Sequence, residues 1–396
     1  MSPKAHCLAC GNNQVNHTLS WLSQTLAVVT LPAQFFLAKS FLAILASAIT
    51  NPVLDSFGWF YRTIGVLKVN TDPTKIINQR GKVLGEEANR RGIPMHNFFM
   101  FGKPADLYGA TVKGKKFYFN GLPRPKRTPK HSEWWADDKY LLKLALQEVG
   151  IPVARGGSFS AFEPLLKKFN ELDKPAIIKP RLGSRGRHTT THIHNEEELK
   201  KAFEGAKQLC YWVVLEEHLV GSVYRGTCIN GKLAGVLRGD PPRITGDGTH
   251  TVAELVTIKN QSKHKEVKDV LISQEHINFL GRLELTTGDI LPAGKTIDLT
   301  EKIGVNYGGC AAEVTGITHP ETIKMLEKAA ATIGDPIIGL DFIIQNISED
   351  PNQQKWGIIE CNGLPFINLH YDPIEGETNN VAKPLWDYVE ENIKQF

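Results

Sequence analysis

Cysteine is scarce in this chain: six in 396 residues, with only Cys7 and Cys10 close together. That excludes a disulfide framework, and it favours a reducing, cytoplasmic setting. Charge of one sign is also lacking. A net charge of +4 is too small to argue for a nucleic-acid partner, and none is expected. Long apolar runs are few. Thr18 to Ala38 carries no charge, and after Lys39 a second uncharged stretch reaches Leu54. The first is diluted by Ser20, Ser23, Gln24, Thr25, Thr30, Pro32 and Gln34, and no cationic leader with a clean small-residue cleavage site precedes it. Residues 18–54 are therefore expected as amphipathic helices packed on the body or on a partner, with contact at a membrane surface left open. The run His6-Cys7-Leu8-Ala9-Cys10-Gly11 is half of a zinc knuckle, and no second cysteine pair follows. Unless His17 or a second chain completes it, two free thiols are the expected state. No Ser-His-Asp or Cys-His set suggests a side-chain nucleophile.

What is present is an ordinary folded composition, 41% hydrophobic and 22% charged, long enough for two or three domains. Four regions are read: an apolar N-terminal helical region over 1–54, a mixed α/β region with a basic linker over 55–130, a linker helix and small lobe over 131–220, and a C-terminal lobe over 221–396. Helical spacing covers Ile76 to Ala88, with Gly92 as the stop. A hairpin is expected around Lys113-Gly114-Lys115. Lys113 to Lys130 holds seven Lys or Arg, three Pro and no acid; an exposed linker is expected, with a wall attracting an acidic substrate as the alternative. An amphipathic helix follows over Asp137 to Val149, and Asn195 should cap a helix with Glu198 in its first turn.

The run Ile178 to Thr190, IKPRLGSRGRHTT, ends an apolar strand with a lysine and then supplies two glycines and three arginines. A Walker loop would need Lys-Ser or Lys-Thr after the glycines and then a helix. Here the next element is a strand, so Gly183, Ser184, Arg185, Gly186 and Arg187 form the tip of a strand–loop–strand unit. Such a tip can cup an anion with backbone N–H groups and close over it as a lid. Lys179 would aim its ammonium at the same phosphates.

Two further runs bear on that reading. IGLDFII and GIIECNG each carry an acid among apolar residues, and burying Asp341 or Glu360 unpaired would cost several kcal/mol. Asn362 falls on the same strand face as Glu360. Two carboxylates and an amide are hard oxygen ligands that suit Mg²⁺; the alternative is acids satisfied by Lys or Arg. In VVLEEHLVG an apolar strand leaves the core at Glu216 and Glu217, where backbone groups could pair with a purine edge and Leu219 could pack on its face.

Taken in order, Lys139, Lys179 with its glycine loop, the Glu216 hinge and the Asp341/Glu360/Asn362 set resemble the ATP-grasp superfamily. The likeness is nearest to the ATP-grasp part of cyanophycin synthetase and of the bifunctional glutathione synthetases, and it spans about residues 131–385. The resemblance implies an α+β ATP-grasp fold, two α+β lobes clasping ATP, preceded by an N-terminal helical and mixed region. It implies that Lys139 and Lys179 contact the ATP phosphates, that Gly183 to Arg187 form the mobile lid, and that Glu216, Glu217 and Leu219 frame the adenine. Arg225 and Arg238 match arginines facing the phosphates or the acyl group, and Asp341, Glu360 and Asn362 would hold one or two Mg²⁺. The implied activity is an ATP-dependent ligase joining a small carboxylate to an amine, an amino acid or peptide, through an acyl phosphate. A small-molecule kinase and a non-catalytic nucleotide-binding module are the rival readings. Val223 stands where the family usually has an acid for the ribose. No Mur-ligase-like domain follows, which puts a full two-amide synthesis by this chain in doubt. Substrate choice is expected to involve the first 130 residues, and a homo-oligomer is left open.

Overall fold

The structure, a computed structural model, describes residues 7–10, 14–38, 67–72, 76, 78–125, 133–183 and 186–396. The uncharged stretch begins as one helix, α1 (His17–Ala38). It turns Leu19, Leu22, Leu26 and Val29 to solvent. No described helix is long and apolar enough to cross a membrane. Residues 39–54, the rest of the expected apolar region, lie outside the described residues, as does His6.

The first sheet has the order β1 (Leu67–Asn70), β2 (Met95–Met100), β3 (Lys103–Val112), β4 (Lys115–Asn120). Across it lies α2 (Gln79–Arg90), which buries Val83, Leu84 and Ala88. Asn78 caps that helix by accepting the Arg80 N–H at 3.0 Å, and the chain leaves through Gly92 at φ +67°. Lys113 and Gly114, at φ +47° and +78°, make the two-residue turn of the β3–β4 hairpin. The described part of the basic stretch is thus folded rather than a linker. Lys113 and Lys115 donate to the carbonyls of Glu390 and Lys394 at 2.8 and 3.1 Å, and Arg124 pairs with the buried Asp335 at 2.8 Å. Residues 126–130 lie outside the described residues.

A second sheet forms the small lobe, in the order β5 (Gly156–Phe159), β8 (Val213–Glu217), β6 (Ala176–Pro180), β7 (Thr190–Ile193). It is preceded by α3 (Lys139–Glu148) and backed by α4 (Phe162–Glu171) and α5 (Glu196–Lys207). Leu165, Phe169, Leu199, Phe203 and Leu215 fill the space between these helices and the sheet. The Asn195 cap is where the sequence places it: its side chain accepts the Glu198 N–H at 3.0 Å.

The large sheet runs β13 (Cys310–Glu313), β10 (Lys232–Asp240), β9 (Ser222–Ile229), β14 (Ile337–Ile344), β15 (Gly357–Asn362). One face packs on α3 and α8 (Pro320–Ile333), through Leu142, Leu146, Leu326, Leu340 and Phe342. Between β10 and β13 the chain makes a small unit of β11 (Arg243–Thr245), α6 (Val252–Ser262), α7 (Gln274–Arg282) and β12 (Thr296–Asp298), with its own core of Ile244, Leu255, Leu280 and Leu291. On the other face of the large sheet, Ile229 and Ile337 join one core with Leu84, Tyr108 and Phe119 of the first sheet and Trp386 of α9 (Ala382–Glu391). The Trp386 indole N–H donates to the Leu84 carbonyl at 3.1 Å. Strand pairs in all sheets are antiparallel, and the architecture is α+β as expected.

Candidate active site

The two lobes face each other across a cleft with about 730 Å³ of open space. Its cationic wall is set by local rules at the start of α3. Asp138 is fully buried and caps the helix, accepting the N–H groups of Tyr140 and Leu141 at 2.9 and 3.0 Å. The same carboxylate accepts the Arg181 Nε–H at 2.8 Å. Arg181 is therefore a brace between α3 and the end of β6, not a ligand-facing arginine. The brace sets Lys139, first residue of α3, beside Lys179 near the end of β6. The Lys139 ammonium donates to the Gly183 carbonyl at 2.5 Å and stands 3.6 Å from Glu360.

Lys179 is 2.6 Å from Glu216, and so is Lys143, which sequence reasoning missed. Its signal was available: Lys143 lies one helical turn after Lys139, on the side of α3 that otherwise buries leucines. All three groups are buried. Burial alone would raise the Glu216 pKa; the Lys179 and Lys143 ammoniums outweigh it and hold the carboxyl down at about 2. Burial pushes Lys143 below the usual lysine range in spite of Glu216.

The hinge carboxylates are thus engaged within the protein. The Glu216 side chain holds lysines, and the Glu217 carboxylate accepts the Arg155 backbone N–H at 2.8 Å and pairs with Lys355 at 2.7 Å. Glu216, Glu217 and Leu219 all line the cleft with Ala154, Ile343 and Ile359; with both carboxylates paired, what the hinge could offer a purine is backbone and the Leu219 side chain. Val223 pairs across the sheet with Ile343, so the expected ribose position is apolar. Gly183 and Gly186, at φ +113° and +62°, line the cleft with Arg187. Ser184 and Arg185 lie outside the described residues. The element after the loop is strand β7, as the lid reading requires.

On the opposite wall Asp341 and Glu360 are direct partners across β14 and β15. Asn362 donates its amide to Asp341 at 3.1 Å. The three expected metal residues are thus brought together. Arg225 of β9 meets Asp341 with two bonds, at 2.6 and 2.7 Å. Burial would lower the Arg225 pKa, but Asp341 raises it well above the arginine range. The donor set fits Mg²⁺: it is all oxygen, with two carboxylates in register and Glu360 a quarter exposed toward the cleft.

Arg225 and Arg238 do not converge. Arg225 lies opposite Leu237 and Asp341, whereas Arg238 lies opposite Tyr224, so the two project from opposite faces of the sheet. Arg238 pairs instead with Asp240 at 2.9 Å and Glu375 at 3.4 Å. His370 is fully buried between Glu313 and Thr227, at 2.5 and 2.8 Å, and so does not face the cleft. A residue the sequence did not flag is Phe366, half exposed beside the metal set, with Arg225 and Arg80 each 5.7 Å from its ring. Arg80 comes from α2, so the first sheet's unit borders this end of the cleft.

No protein-family model matches the chain. It is 31% identical over 261 residues to a cyanophycin synthetase of Synechocystis sp., a match covering 64% of this chain and 30% of the relative. It is 27% identical over 260 residues to the glutathione biosynthesis bifunctional protein GshAB of Clostridium perfringens, covering 63% of this chain and 33% of the relative. The chain thus spans about a third of the length of these curated relatives. Among solved structures, a bifunctional glutathione synthetase from Pasteurella multocida superposes with a TM-score of 0.56 at 22% identity, over 79% of this chain and 43% of that one. That superposition is a likeness of fold. With the two-lobed cleft, its paired lysines and its Asp341/Glu360/Asn362 wall, the chain has an α+β fold of ATP-grasp type, and its sequence is similar to parts of cyanophycin synthetase and of GshAB.

Proposed function

We propose that this protein is an ATP-dependent carboxylate–amine ligase acting on an amino acid or peptide through an acyl phosphate. The observation that carries the reading is the juxtaposition in one cleft of Lys139 and Lys179 with Glu360, which stands 3.6 Å from Lys139 and is directly paired across the strands with Asp341, to which Asn362 bonds. A polyanion seated between them would meet cations on one side and, on the other, residues that would hold Mg²⁺, an ion that neutralises phosphate charge. In the first step a carboxylate oxygen of the substrate attacks the γ-phosphorus, the bond to the β-phosphate oxygen breaks, and ADP leaves with the electron pair. In the second an amine attacks the acyl carbon, inorganic phosphate leaves, and the amine loses a proton. Lys139 and Lys179 would hold the phosphates in line, and Gly183, Gly186 and Arg187 would exclude water that would hydrolyse the acyl phosphate. Arg225 is the arginine fitted to face the acyl phosphate, being on the Asp341 face; Arg238 is assigned no part in the step. Phe366 with Arg80 and Arg225 forms a wall suited to a substrate carrying a carboxylate.

The test is ADP and phosphate release from the purified chain, screened against amino acids and dipeptides in pairs, with mass spectrometry of the products. ADP release requiring both a carboxylate and an amine, with an amide product, is expected. A stable phosphorylated product formed without an amine would make it a kinase. No turnover with any pair, and no change in nucleotide behaviour in Glu360→Ala, would leave the module reading.

A further inference from the structure

The half knuckle at the N-terminus is completed from far along the chain. His188, the residue after Arg187 of the lid, brings its Nε2 within 3.5 Å of the Cys7 sulfur and 3.4 Å of the Cys10 sulfur. The Cys10 sulfur is also 3.3 Å from Nε2 of His17, the first residue of α1. One ligand atom from each of Cys7, Cys10, His17 and His188 lies within 4.8 Å of every other. Neither thiol is in a disulfide, and both lie against imidazoles.

We propose that Cys7, Cys10, His17 and His188 form a tetrahedral Zn²⁺ site. With zinc–sulfur bonds of about 2.3 Å and zinc–nitrogen bonds of about 2.0 Å, a tetrahedron has sulfur–nitrogen edges of about 3.5 Å. The observed spacings of 3.3, 3.4 and 3.5 Å are those edges. Two sulfurs and two imidazoles select a borderline-soft ion and select against Mg²⁺, which needs oxygen. The surroundings orient the ligands. Nδ1 of His188 sits 2.7 Å from the Gly205 carbonyl, which fixes the proton on Nδ1 and leaves the Nε2 lone pair toward the sulfurs. The His188 backbone N–H donates to the Ala9 carbonyl at 3.1 Å, so the two distant segments are joined by main chain as well. The Gln14 side chain clasps the cysteine turn, accepting the Cys7 N–H at 2.9 Å and donating to its carbonyl at 2.8 Å. Cys10 and His188 are both at least nine-tenths buried.

Four protein ligands leave no open position, so the ion is structural, not catalytic. What it fastens is specific. It ties the start of α1 to the C-terminal root of the lid, 178 residues on from Cys10. α1 then continues along the small lobe, where Thr25 Oγ1 accepts the Tyr211 N–H at 3.1 Å. Gly183 lies against the Gln24 side chain. The site makes the N-terminal segment a strap across the base of the lid.

The experiment is metal analysis of the full chain purified without an affinity tag that binds metal, from cells grown with added zinc. The expected content is about one zinc per chain, released when the thiols are capped with a mercurial. Replacing the ion with Co²⁺ should give the intense visible bands of a tetrahedral centre and a thiolate charge-transfer band. Cys7→Ser and His188→Gln should each lose most of the zinc, with circular dichroism confirming that the variants are folded. Less than a tenth of an equivalent of zinc in the wild-type chain would overturn the proposal, as would a weak octahedral Co²⁺ spectrum. Folded His188→Gln retaining the full equivalent would overturn it too. None of these readouts depends on ligase activity.

Discussion

Glu360 and Glu216 are both glutamates at the cleft, and they are held in opposite ways. Glu360 is a quarter exposed, and its ion-pair partner Lys139 is 3.6 Å away. Truncation to Glu360→Ala removes little folding energy, within about 0.5 kcal/mol, but deletes one of the residues proposed to hold Mg²⁺. We expect at least a 100-fold loss of ADP release with an unchanged melting temperature, in the range reported for losing one group that stabilises developing charge. Glu216 is buried between two ammoniums at 2.6 Å each. Glu216→Gln leaves Lys143 and Lys179 uncompensated in the interior and should cost about 3–5 kcal/mol in urea denaturation at pH 7. The pH dependence has a definite sign. The folded pKa of about 2 lies below the ordinary 4.5, so the Glu216 contribution is full above pH 4.5 and is lost as pH falls toward 2. That shift is worth on the order of 3 kcal/mol, partly offset by the cost of keeping Lys143 charged. The variant should therefore show a flatter fall in stability than the wild type between pH 5 and about pH 2; parallel acid limbs would contradict the assignment.

At the scale of elements, what could be read in the sequence was what is local. The Asn195 cap, the Lys113-Gly114 turn, the Gly92 stop and the strand after the glycine loop each depend on neighbours within a few residues, and each is present. Asn195→Ala should lower stability by about 1 kcal/mol, the ordinary value of a cap. The direction of a strand side chain relative to a partner strand is not local, which is why sequence alone groups Arg238 with Arg225 although the register turns them apart. The partners of the hinge carboxylates are hidden for a similar reason: that Glu216 and Glu217 are occupied by Lys143, Lys179, Lys355 and Arg155 depends on four segments converging. Gly221, which ends the hinge run, carries a cost the sequence only hints at. Its φ is +141°, and an added Cβ would overlap the Ile344 carbonyl of β14. Gly221→Ala combines a conformation foreign to alanine with a backbone clash and should cost at least about 2 kcal/mol by chemical denaturation, twice the effect of the cap. A smaller loss than Asn195→Ala would mean that the hinge can shift away from β14.

For the whole molecule, the feature least visible in the sequence is the union of the first sheet with the C-terminal helix. Composition and periodicity mark 55–130 as a separate stretch, yet α2 and α9 interlock from opposite ends of the chain. Arg91 reaches Asp387 and Glu390 at 2.7 Å each, and the Trp386 indole bonds to Leu84, 302 residues away. Trp386 is fully buried in a core that holds residues of both the first and the large sheet. Trp386→Ala removes the largest side chain of that core and leaves the Leu84 carbonyl without its donor. The expected loss is about 3–5 kcal/mol. The more telling readout is cooperativity. If residues 67–125 and the large lobe share one core, urea unfolding should remain a single transition for these parts in both proteins, with near-ultraviolet dichroism and resistance to proteolytic cleavage within residues 67–125 falling together and shifted to lower urea in the variant. Release of residues 67–125 in a separate, earlier transition in the wild type would show two independent bodies instead, and would remove the reason for assigning Arg80 and Phe366 to one substrate wall.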